Sequence, residues 1–246
     1  MIVTGGARGI GAATAKLAAS AGYDVCLSYV ARDEAAKQVV AAIEQQGRRA
    51  VALRSDVSRE ADIQALFEAA DRLGPLAALI NNAGIPGTAG RLDQTPTALI
   101  EQVIATNITG LMLCTQAAIR RMSRRHGGKG GTIVNLSSVA ARLGGANIWI
   151  PYATSKGAVE AFTHGIAQEV AAEGIRVVAV RPGIIDTEIH ASAGLPDRVP
   201  TAGSVVPMGR AGTPEEVAEL ILFLLSDKAA YITDTVVDIS GGRPVS

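Results

Sequence analysis

The sequence predicts an α/β fold in which a doubly wound parallel sheet of about seven strands carries helices on both faces. Short unbroken apolar runs alternate with longer segments of helical period, and this alternation continues along the whole chain. Unbroken apolar runs are typical of strands buried on both faces of a parallel sheet. No repeat or linker divides the chain. We therefore expect residues 1–246 to form a single three-layer domain.

The apolar runs and the segments between them predict the order of elements. Seven runs predict strands: Ile2–Thr4, Val25–Tyr29, Ala50–Arg54, Ala77–Ile80, Thr132–Leu136, Arg176–Val180 and Val236–Ile239. Six segments predict helices: 10–21, 33–46, 59–73, 97–125, 152–173 and 214–226. The last helix has a clear start signal, because Thr213, Pro214 and Glu216 supply an N-cap, a proline at the first helical position and a capping-box glutamate.

Composition excludes several classes of protein. Hydrophobic residues make up 48% and charged residues 19% of the chain, which allows a large core and argues against disorder. Lys and Arg together number 23, as do Asp and Glu, so we expect no nucleic-acid partner. Cys26 and Cys114 suit a reducing interior, and Asp, Glu and His are too scattered to propose a metal. No apolar run reaches the roughly 18 residues of a membrane span, so we expect a cytoplasmic protein with no membrane partner.

A glycine turn follows the first predicted strand. Residues 4–11 read TGGARGIG and lead directly into a helix. Gly5, Gly9 and Gly11 let the backbone, and Ile10 within it, approach a pyrophosphate that lies at the positive N-terminus of that helix. A glycine triplet alone also closes simple strand–helix corners, but the position of this one predicts a Rossmann-type dinucleotide site.

The end of the second strand indicates which dinucleotide binds. An acidic residue there would hold the ribose 2′-hydroxyl of NAD, but no carboxylate occurs before Asp33. Arg32, together with Arg8 in the glycine turn, can instead pair with a 2′-phosphate. The sequence therefore favours NADP. Two alternatives are that both arginines are ordinary solvated side chains, and that Asp33 meets the ribose of NAD.

Two further loops lie at carboxyl ends of strands. Asp56 and Val57 follow the third strand and would lie at the adenine end, although Asp56 could simply lead into the next helix. Asn82, Ala83 and Gly84 follow the fourth strand, where small and amide residues can line the crevice of an open α/β sheet. The alternative for this second loop is a plain turn, which Asn and Gly favour.

A tyrosine, a lysine and a serine form the candidate catalytic group. Tyr152 and Lys156 share one face of a helix, since they are four residues apart. The lysine ammonium would favour the phenolate and lower the pKa of Tyr152, so that the phenol could act as a general acid/base. Ser138, at the end of the fifth strand, could donate a hydrogen bond to the reacting oxygen. An isolated tyrosine–lysine pair would be only a helix turn, and Ser137 is the alternative serine.

Taken together, these motifs resemble the short-chain dehydrogenase/reductase family. TGGARGIG, the sequence NNAG at 81–84, Asn107, Ser138 and the pair Tyr152–Lys156 occur in the order of that family. The likeness runs over essentially the whole chain, and it is greatest to bacterial NADP-dependent 3-oxoacyl-carrier-protein reductases and glucose 1-dehydrogenases. It implies an oxidoreductase that transfers a hydride between NADP(H) and a small-molecule carbonyl or secondary alcohol. The alternative is a non-catalytic or regulatory nucleotide-binding protein on the same fold.

The resemblance also implies roles for individual residues. The lysine that matches Lys156 bonds the nicotinamide ribose, beside Tyr152, and the asparagine that matches Asn107 holds a water in a proton relay. The alternative for Asn107 is that it merely bridges backbone within the long helix. The loop after the sixth strand would contact the nicotinamide through four residues: Pro182, Gly183, Ile185 and Thr187.

A substrate lid at about 188–212 is expected from the same resemblance, because this segment is long and lacks periodicity. His190 lies in it, and a lone loop histidine is more often incidental than catalytic. Mostly apolar residues would line the substrate pocket: Ile85, Pro86, Leu143, Ile148, Trp149, Ile150, His190 and Met208. They suit an acyl thioester, a cyclic ketone or a sugar–lactone pair equally well. Family analogy further implies a homotetramer, or a homodimer, built on helices 97–125 and 152–173.

Overall fold

The computed structural model describes residues 1–243 and has the predicted architecture. The seven strands of this part of the chain form one parallel sheet in the order β3-β2-β1-β4-β5-β6-β7. The strands are β1 Ile2–Val3, β2 Val25–Tyr29, β3 Ala50–Arg54, β4 Ala78–Asn81, β5 Gly131–Leu136, β6 Ile175–Pro182 and β7 Thr235–Ile239. Each lies within two residues of its predicted bounds.

Helices connect successive strands. They are α1 Gly9–Ser20, α2 Asp33–Glu44, α3 Glu60–Asp71, α4 Thr97–Ile104, α5 Leu111–Met122, α6 Ala140–Leu143, α7 Ile150–Val170, α8 Ile189–Ser192 and α9 Pro214–Leu225. The predicted capping box of α9 is present, because the Thr213 hydroxyl accepts from the Glu216 amide at 3.2 Å and the Glu216 carboxylate accepts from the Thr213 amide at 2.8 Å. The sequence did not predict α6 and α8, which are each one turn long.

The sheet separates two apolar cores. Side chains alternate between the faces of a strand, so Val3 joins the core beneath α1, α2 and α9, whereas Ile2 joins the core beneath α3, α5 and α7. Both side chains are fully buried. The middle layer is therefore enclosed by helices on each side, as the unbroken apolar runs predicted.

The long helical segment after β4 is not uniform. A π-helical turn, Ala105–Gly110, separates α4 from α5 where the sequence predicted one helix over 97–125. At its end the helix approaches the loop after β3 closely, since a Cβ on Gly110 would lie 2.5 Å from the Val57 carbonyl oxygen. Such turns often occur at functional sites, and this one carries Asn107.

The same segment, Thr97–Met122, is long and apolar enough to cross a membrane by length and composition alone. Polar residues interrupt it, which is why a search for an unbroken apolar run misses it. Cys114, Ala118 and Met122 of this segment are buried in the core beneath α3 and α7. We therefore interpret it as a core helix of the α/β domain, with a face that this chain leaves uncovered: only 28% of its most apolar window is buried.

A buried ion-pair network fixes α7 against the end of the sheet. Arg181 of β6 is 4% exposed and donates to both carboxylate oxygens of Glu160 in α7, at 2.7 and 2.9 Å, and to Asp238 of β7 at 2.7 Å. Burial acts to raise the pKa of Glu160, but hydrogen bonds from Arg181 and Ser137 outweigh it and lower that pKa. The helix that carries Tyr152 is thus held to β5, β6 and β7 together.

The segment predicted as a lid folds over the carboxyl edge of the sheet. Its ends are held together, because the Gly212 amide donates to Ile184 and the Gly212 carbonyl accepts from Asp186, at 2.9 and 2.8 Å. Besides α8 it contains 3-10 turns at Pro196–Arg198 and Ala202–Ser204. Ile184, Ala202 and Val206 form a small separate core there.

Candidate active site

One large cleft, of about 650 Å³, lies at the carboxyl edge of the sheet. The ends of β1 to β6 and the segment 188–212 line it. Ligands of open α/β sheets bind at this edge, in the crevice where neighbouring strands lead to opposite faces. Here that point lies between β1 and β4, because β1 leads to α1 on one face and β4 to α4 on the other.

Most residues predicted for the site meet in this cleft. From the nucleotide set, the lining residues are Gly5, Arg8, Gly9, Ile10, Arg32, Asp56, Val57, Asn82, Ala83, Gly84, Pro182, Gly183, Ile185 and Thr187. From the catalytic set, the lining residues are Ser138, Tyr152 and Lys156. Gly11 and Asn107 do not line the cleft, but each contacts residues that do.

The glycine turn leaves the N-terminus of α1 open to the cleft. Gly5 and Gly9 have φ of +63° and +51°, a conformation that favours glycine. Arg8 occupies the N-cap position but its side chain does not cap the helix, and the first turn of α1 holds no acidic residue. The helix therefore presents free amide groups and the positive end of its dipole, which suit a phosphate.

Gly11 has a packing role, and it does not line the cleft. It is buried in α1, and a Cβ there would lie 2.4 Å from the Gly5 carbonyl oxygen and 2.5 Å from Asn82 Nδ2. Asn82 in turn donates to the Thr4 and Gly5 carbonyls at 2.9 and 3.0 Å. The missing side chain thus lets α1 approach the ends of β1 and β4.

Arg8 and Arg32 converge although they come from different loops. Both guanidiniums pair with the carboxylate of Glu188, at 3.3 and 2.8 Å. Arg32 reaches this position in the left-handed backbone conformation, with φ of 74°, which is uncommon for a residue other than glycine. The pair forms an anion-binding corner, and Glu188 from the start of the lid is the carboxylate that it holds.

Asp56 lines the cleft, and its Oδ1 accepts from the backbone amide and the hydroxyl of Ser58, at 2.9 and 2.8 Å. Those bonds form the turn that leads toward α3. Val57, next to it, is buried and also lines the cleft.

Tyr152, Lys156 and Ser138 lie together at the other end. The Lys156 ammonium is 5.6 Å from the centre of the Tyr152 ring and donates to the Leu136 carbonyl at 2.5 Å. The two adjacent serines differ in their surroundings. Ser137 is 4% exposed and donates to Glu160 at 2.7 Å. The Ser138 hydroxyl instead interacts with Tyr152 and acts to lower the pKa of its phenol.

The pKa of Tyr152 is raised, whereas the sequence predicted that it would be lowered. Burial raises the pKa of Tyr152, while the Ser138 hydroxyl and the Arg198 guanidinium oppose that shift. Burial also lowers the pKa of Lys156 to about 8. The expected lowering of the tyrosine pKa by the lysine charge is not found: the groups that act against burial are Ser138 and Arg198.

Asn107 acts through the backbone of the neighbouring loop. Its Oδ1 accepts from the Ile85 amide at 2.8 Å, and its Nδ2 donates to the Ile85 carbonyl at 2.9 Å and to Ser155 at 3.0 Å. A Cβ on Gly84 would lie 3.3 Å from this Oδ1 and 3.5 Å from Lys156 Nζ. Asn107 thus bridges the backbone of the loop after β4, rather than backbone within its own helix, and it does so close to the lysine.

Four residues of the substrate end form a cluster that sequence reasoning only partly identified. The Trp149 ring lies edge to face with Tyr152 at 5.9 Å, stacks on His190 at 6.1 Å, and carries the Arg198 guanidinium 5.0 Å above it. Burial, and then the charge of Arg198, lowers the pKa of His190 to about 4, so its imidazole is neutral. His190 is thus part of the cleft rather than incidental, while Ile150 and Met208 do not line it.

Comparisons with known proteins find similar chains over the whole length of this one. A model of the family described as Enoyl-(Acyl carrier protein) reductase matches residues 5–243. The chain is 49% identical to the uncharacterized oxidoreductase YgfF of Escherichia coli over 98% of each chain. It is 41% identical to cis-4-hydroxycyclohexanecarboxylate dehydrogenase of Sinomonas cyclohexanicum over 98% of this chain and 94% of that one.

A solved structure has the same fold. It is a short-chain dehydrogenase from Burkholderia cenocepacia in complex with NADP, 35% identical, with a TM-score of 0.88 over 98% of this chain and 96% of that one.

The packing role of Gly11 gives a stability test. We expect Gly11→Ala to destabilise the fold by about 1–3 kcal/mol, because the added methyl group must displace backbone of the glycine turn. Gly90→Ala, in the loop after β4, is the matched control: no atom lies within 4 Å of its added Cβ, so its stability should stay within about 0.5 kcal/mol of the wild type. Urea unfolding of both variants measures the difference, and equal stability of the two would contradict the packing role.

Proposed function

The chain belongs to the short-chain dehydrogenase/reductase family, and from that premise we propose which of its residues carry out the reaction. It is an NADP-dependent oxidoreductase that transfers a hydride between the cofactor and a carbonyl or secondary alcohol of a small molecule. We assign general acid/base catalysis to Tyr152. The observation that carries this assignment is the position of its side chain, beside Ser138 and Lys156 at the end of the cleft opposite Arg8 and Arg32.

The cleft residues fit a dinucleotide with a 2′-phosphate. The open N-terminus of α1 would bind the pyrophosphate, and Arg8 with Arg32 would bind the 2′-phosphate through charge-assisted hydrogen bonds. Pro182, Gly183, Ile185 and Thr187 would lie against the nicotinamide, which follows from their place in the cleft beyond β6. The residues 5–243 thus supply one continuous nucleotide-binding and catalytic unit, with the segment 188–212 as its substrate lid.

In the reducing direction the proton comes from Tyr152. The bound cofactor supplies the hydride to the carbonyl carbon. The phenol then gives its proton to the carbonyl oxygen, and Ser138 donates a hydrogen bond to the same oxygen as charge develops there. The raised pKa of Tyr152 keeps the phenol protonated at neutral pH, which suits a proton donor. Lys156 would bond the nicotinamide ribose, and Asn107 would hold Ile85 and Ser155 in place beside it.

The apolar lining favours a compact substrate. Ile85, Pro86, Leu143 and Ile148 line the cleft together with Tyr152. The Sinomonas relative is named for a cyclic secondary alcohol, and an alicyclic ketone suits this lining. Alicyclic ketones are therefore the first compounds to assay with NADPH.

The assignment of Tyr152 predicts a specific loss. Tyr152→Phe should lower turnover by about 10²- to 10⁴-fold, the usual contribution of a general acid/base, and leave NADPH binding largely intact. Tyr231→Phe is the control, since Tyr231 is fully exposed. Steady-state kinetics measure the turnover of each variant, and a cofactor titration measures its affinity for NADPH. Unchanged turnover in Tyr152→Phe would overturn the mechanism.

The ion pairs of Glu188 predict a gain in affinity. Its carboxylate holds the two arginines assigned to the 2′-phosphate, so it must leave them when that phosphate binds. Glu188→Gln should tighten NADPH binding by about threefold to tenfold, the effect of two exposed ion pairs. NADH lacks the phosphate and should bind as before.

The titration follows quenching of Trp149, the single tryptophan of the chain. Glu34→Gln is the control, because it removes the same charge from a residue that pairs with Lys37. An equal gain for NADH, or an equal effect of the control, would contradict the assignment of Arg8 and Arg32. Preference of the wild type for NADH would contradict it as well.

We also infer a homotetramer built on the α4–α5 segment and α7. The poorly buried apolar window of Thr97–Met122 supports it, as does Met112, which is 40% exposed on α5. Sedimentation should give four times the chain mass of 25.2 kDa, and Met112→Glu should shift the protein to smaller species. A wild-type species of one chain mass would contradict an assembly.

We place the protein in the cytoplasm, in keeping with its two free thiols.

A further inference from the structure

The substrate end of the cleft contains an unusual concentration of unsatisfied polar groups. Six buried side-chain nitrogen or oxygen atoms lack a hydrogen-bond partner within residues 1–243. Four of these six belong to residues that line the cleft: Trp149 Nε1, His190 Nδ1, Arg198 Nε and Arg243 Nη1. Buried polar groups are almost always paired in folded proteins, so a cluster of four at one place indicates a site for a polar ligand.

The four groups come from three separate parts of the chain. Trp149 precedes α7, His190 and Arg198 belong to the lid, and Arg243 follows β7. The backbone brings the last of these into position: the Met208 amide donates to the Gly241 carbonyl at 3.1 Å, which joins the C-terminal turn to the lid. Trp149 lies at the centre, with Arg198 over its ring and His190 stacked on it.

The charge of this cluster is positive, and no salt bridge within residues 1–243 involves either guanidinium; the one carboxylate that acts on the cluster, Asp186, acts on His190. Burial lowers the pKa of Arg198 most; the charge of Arg243 lowers it further, and Tyr152 acts to raise it. Burial alone lowers the pKa of Arg243. Neither guanidinium has a carboxylate among these neighbours in the described chain, unlike Arg8 and Arg32, which share Glu188. His190 is neutral and offsets nothing. Two partly buried guanidiniums that repel each other are stabilised by an anion placed between them.

The cofactor does not account for that anion. Its phosphates are assigned to the N-terminus of α1 and to Arg8 with Arg32, which follow β1 and β2, whereas Trp149 and Tyr152 follow β5. The substrate must then supply it. Arg nitrogens match a carboxylate in geometry and charge, and a carboxylate offers about four lone-pair positions for converging donors.

We propose that this protein acts on ketones or secondary alcohols that carry a carboxylate, and that Arg198 and Arg243 bind that carboxylate over Trp149. The proposal rests on the proposed function in one respect, namely that the substrate carbonyl lies at Tyr152. Since Tyr152 packs against Trp149, the carboxylate and the carbonyl belong to one small molecule. The apolar residues opposite, Leu143 and Ile148, would cover its hydrocarbon part.

The test measures binding rather than turnover, so that it is independent of the proposed reaction. Cyclohexanecarboxylate and cyclohexanecarboxamide, which have the same ring and differ in charge, are titrated into the NADP-saturated protein by calorimetry. We expect the carboxylate to bind about tenfold or more tightly than the amide, as charge-assisted hydrogen bonds require. Equal binding of the two compounds, or no binding of the carboxylate, would overturn the proposal.

Variants assign the effect to the two arginines. Arg198→Gln and Arg243→Gln should each reduce the preference for the carboxylate, and the double variant should abolish it. Arg198→Lys keeps the charge and should retain part of the preference. Arg91→Gln is the matched control, because Arg91 is exposed and pairs with Asp93. An equal loss in the control would attribute the effect to overall charge and contradict the site.

Two further measurements complete the design. NADPH affinity of each variant shows that the fold and the cofactor site are intact, since neither arginine is assigned to the cofactor. Cyclohexyl phosphate tests the other common oxyanion, and tighter binding of the phosphate than of the carboxylate would overturn the carboxylate assignment. Kinetics with 4-oxocyclohexanecarboxylate and its amide then test the proposed reaction itself, where the variants should raise KM more than they lower kcat.

Discussion

The site depends on the contact between the ends of β1 and β4. The Thr4 hydroxyl accepts from the backbone amides of Asn82 and Ala83, each at 3.0 Å, while Asn82 donates back to the carbonyls of Thr4 and Gly5. The chain leaves these two strands toward opposite faces of the sheet, so the backbone parts there and opens a crevice. The hydrogen bonds satisfy backbone groups that would otherwise be left unpaired at this parting. These hydrogen bonds fix the positions of the glycine turn, the cofactor cleft and the start of α1.

The sequence predicted the elements well and the contacts between distant loops poorly. The bounds of the inner strands were accurate because those strands are buried on both faces, and only an unbroken apolar run satisfies that condition. Glu188 could not be paired with Arg8 and Arg32 in advance, since 180 and 156 residues separate them and exposed charges carry no periodic signal. The π turn at Asn107 was also missed, because helical periodicity does not register a single wide turn. The packing role of Gly11 was missed as well, since the spacing of glycines alone does not show which of them lie against other backbone.

Net charge hides the electrostatic character of the cleft. The chain carries 23 basic and 23 acidic residues, and yet five cations line this one space: Arg8, Arg32, Lys156, Arg198 and Arg243. In a cleft with low-dielectric walls such charges act on a ligand more strongly than the same charges on the open surface. Glu188 offsets the pair at one end, and the pair at the other end is left to the ligand. An anionic cofactor and an anionic substrate would thus be drawn to separate ends of the same cleft.

The charge at the substrate end also bears on the proton donor. The Arg198 guanidinium acts to lower the pKa of Tyr152, against the larger effect of burial. An anion bound to Arg198 would offset that guanidinium charge, so the phenol would hold its proton more firmly while the substrate is present. In the reducing direction this keeps the donor protonated until the carbonyl oxygen takes the proton. In the oxidising direction the same anion would make Tyr152 a stronger base toward the alcohol. One residue pair, Arg198 and Tyr152, thereby links recognition of the substrate charge to the chemistry at its carbonyl.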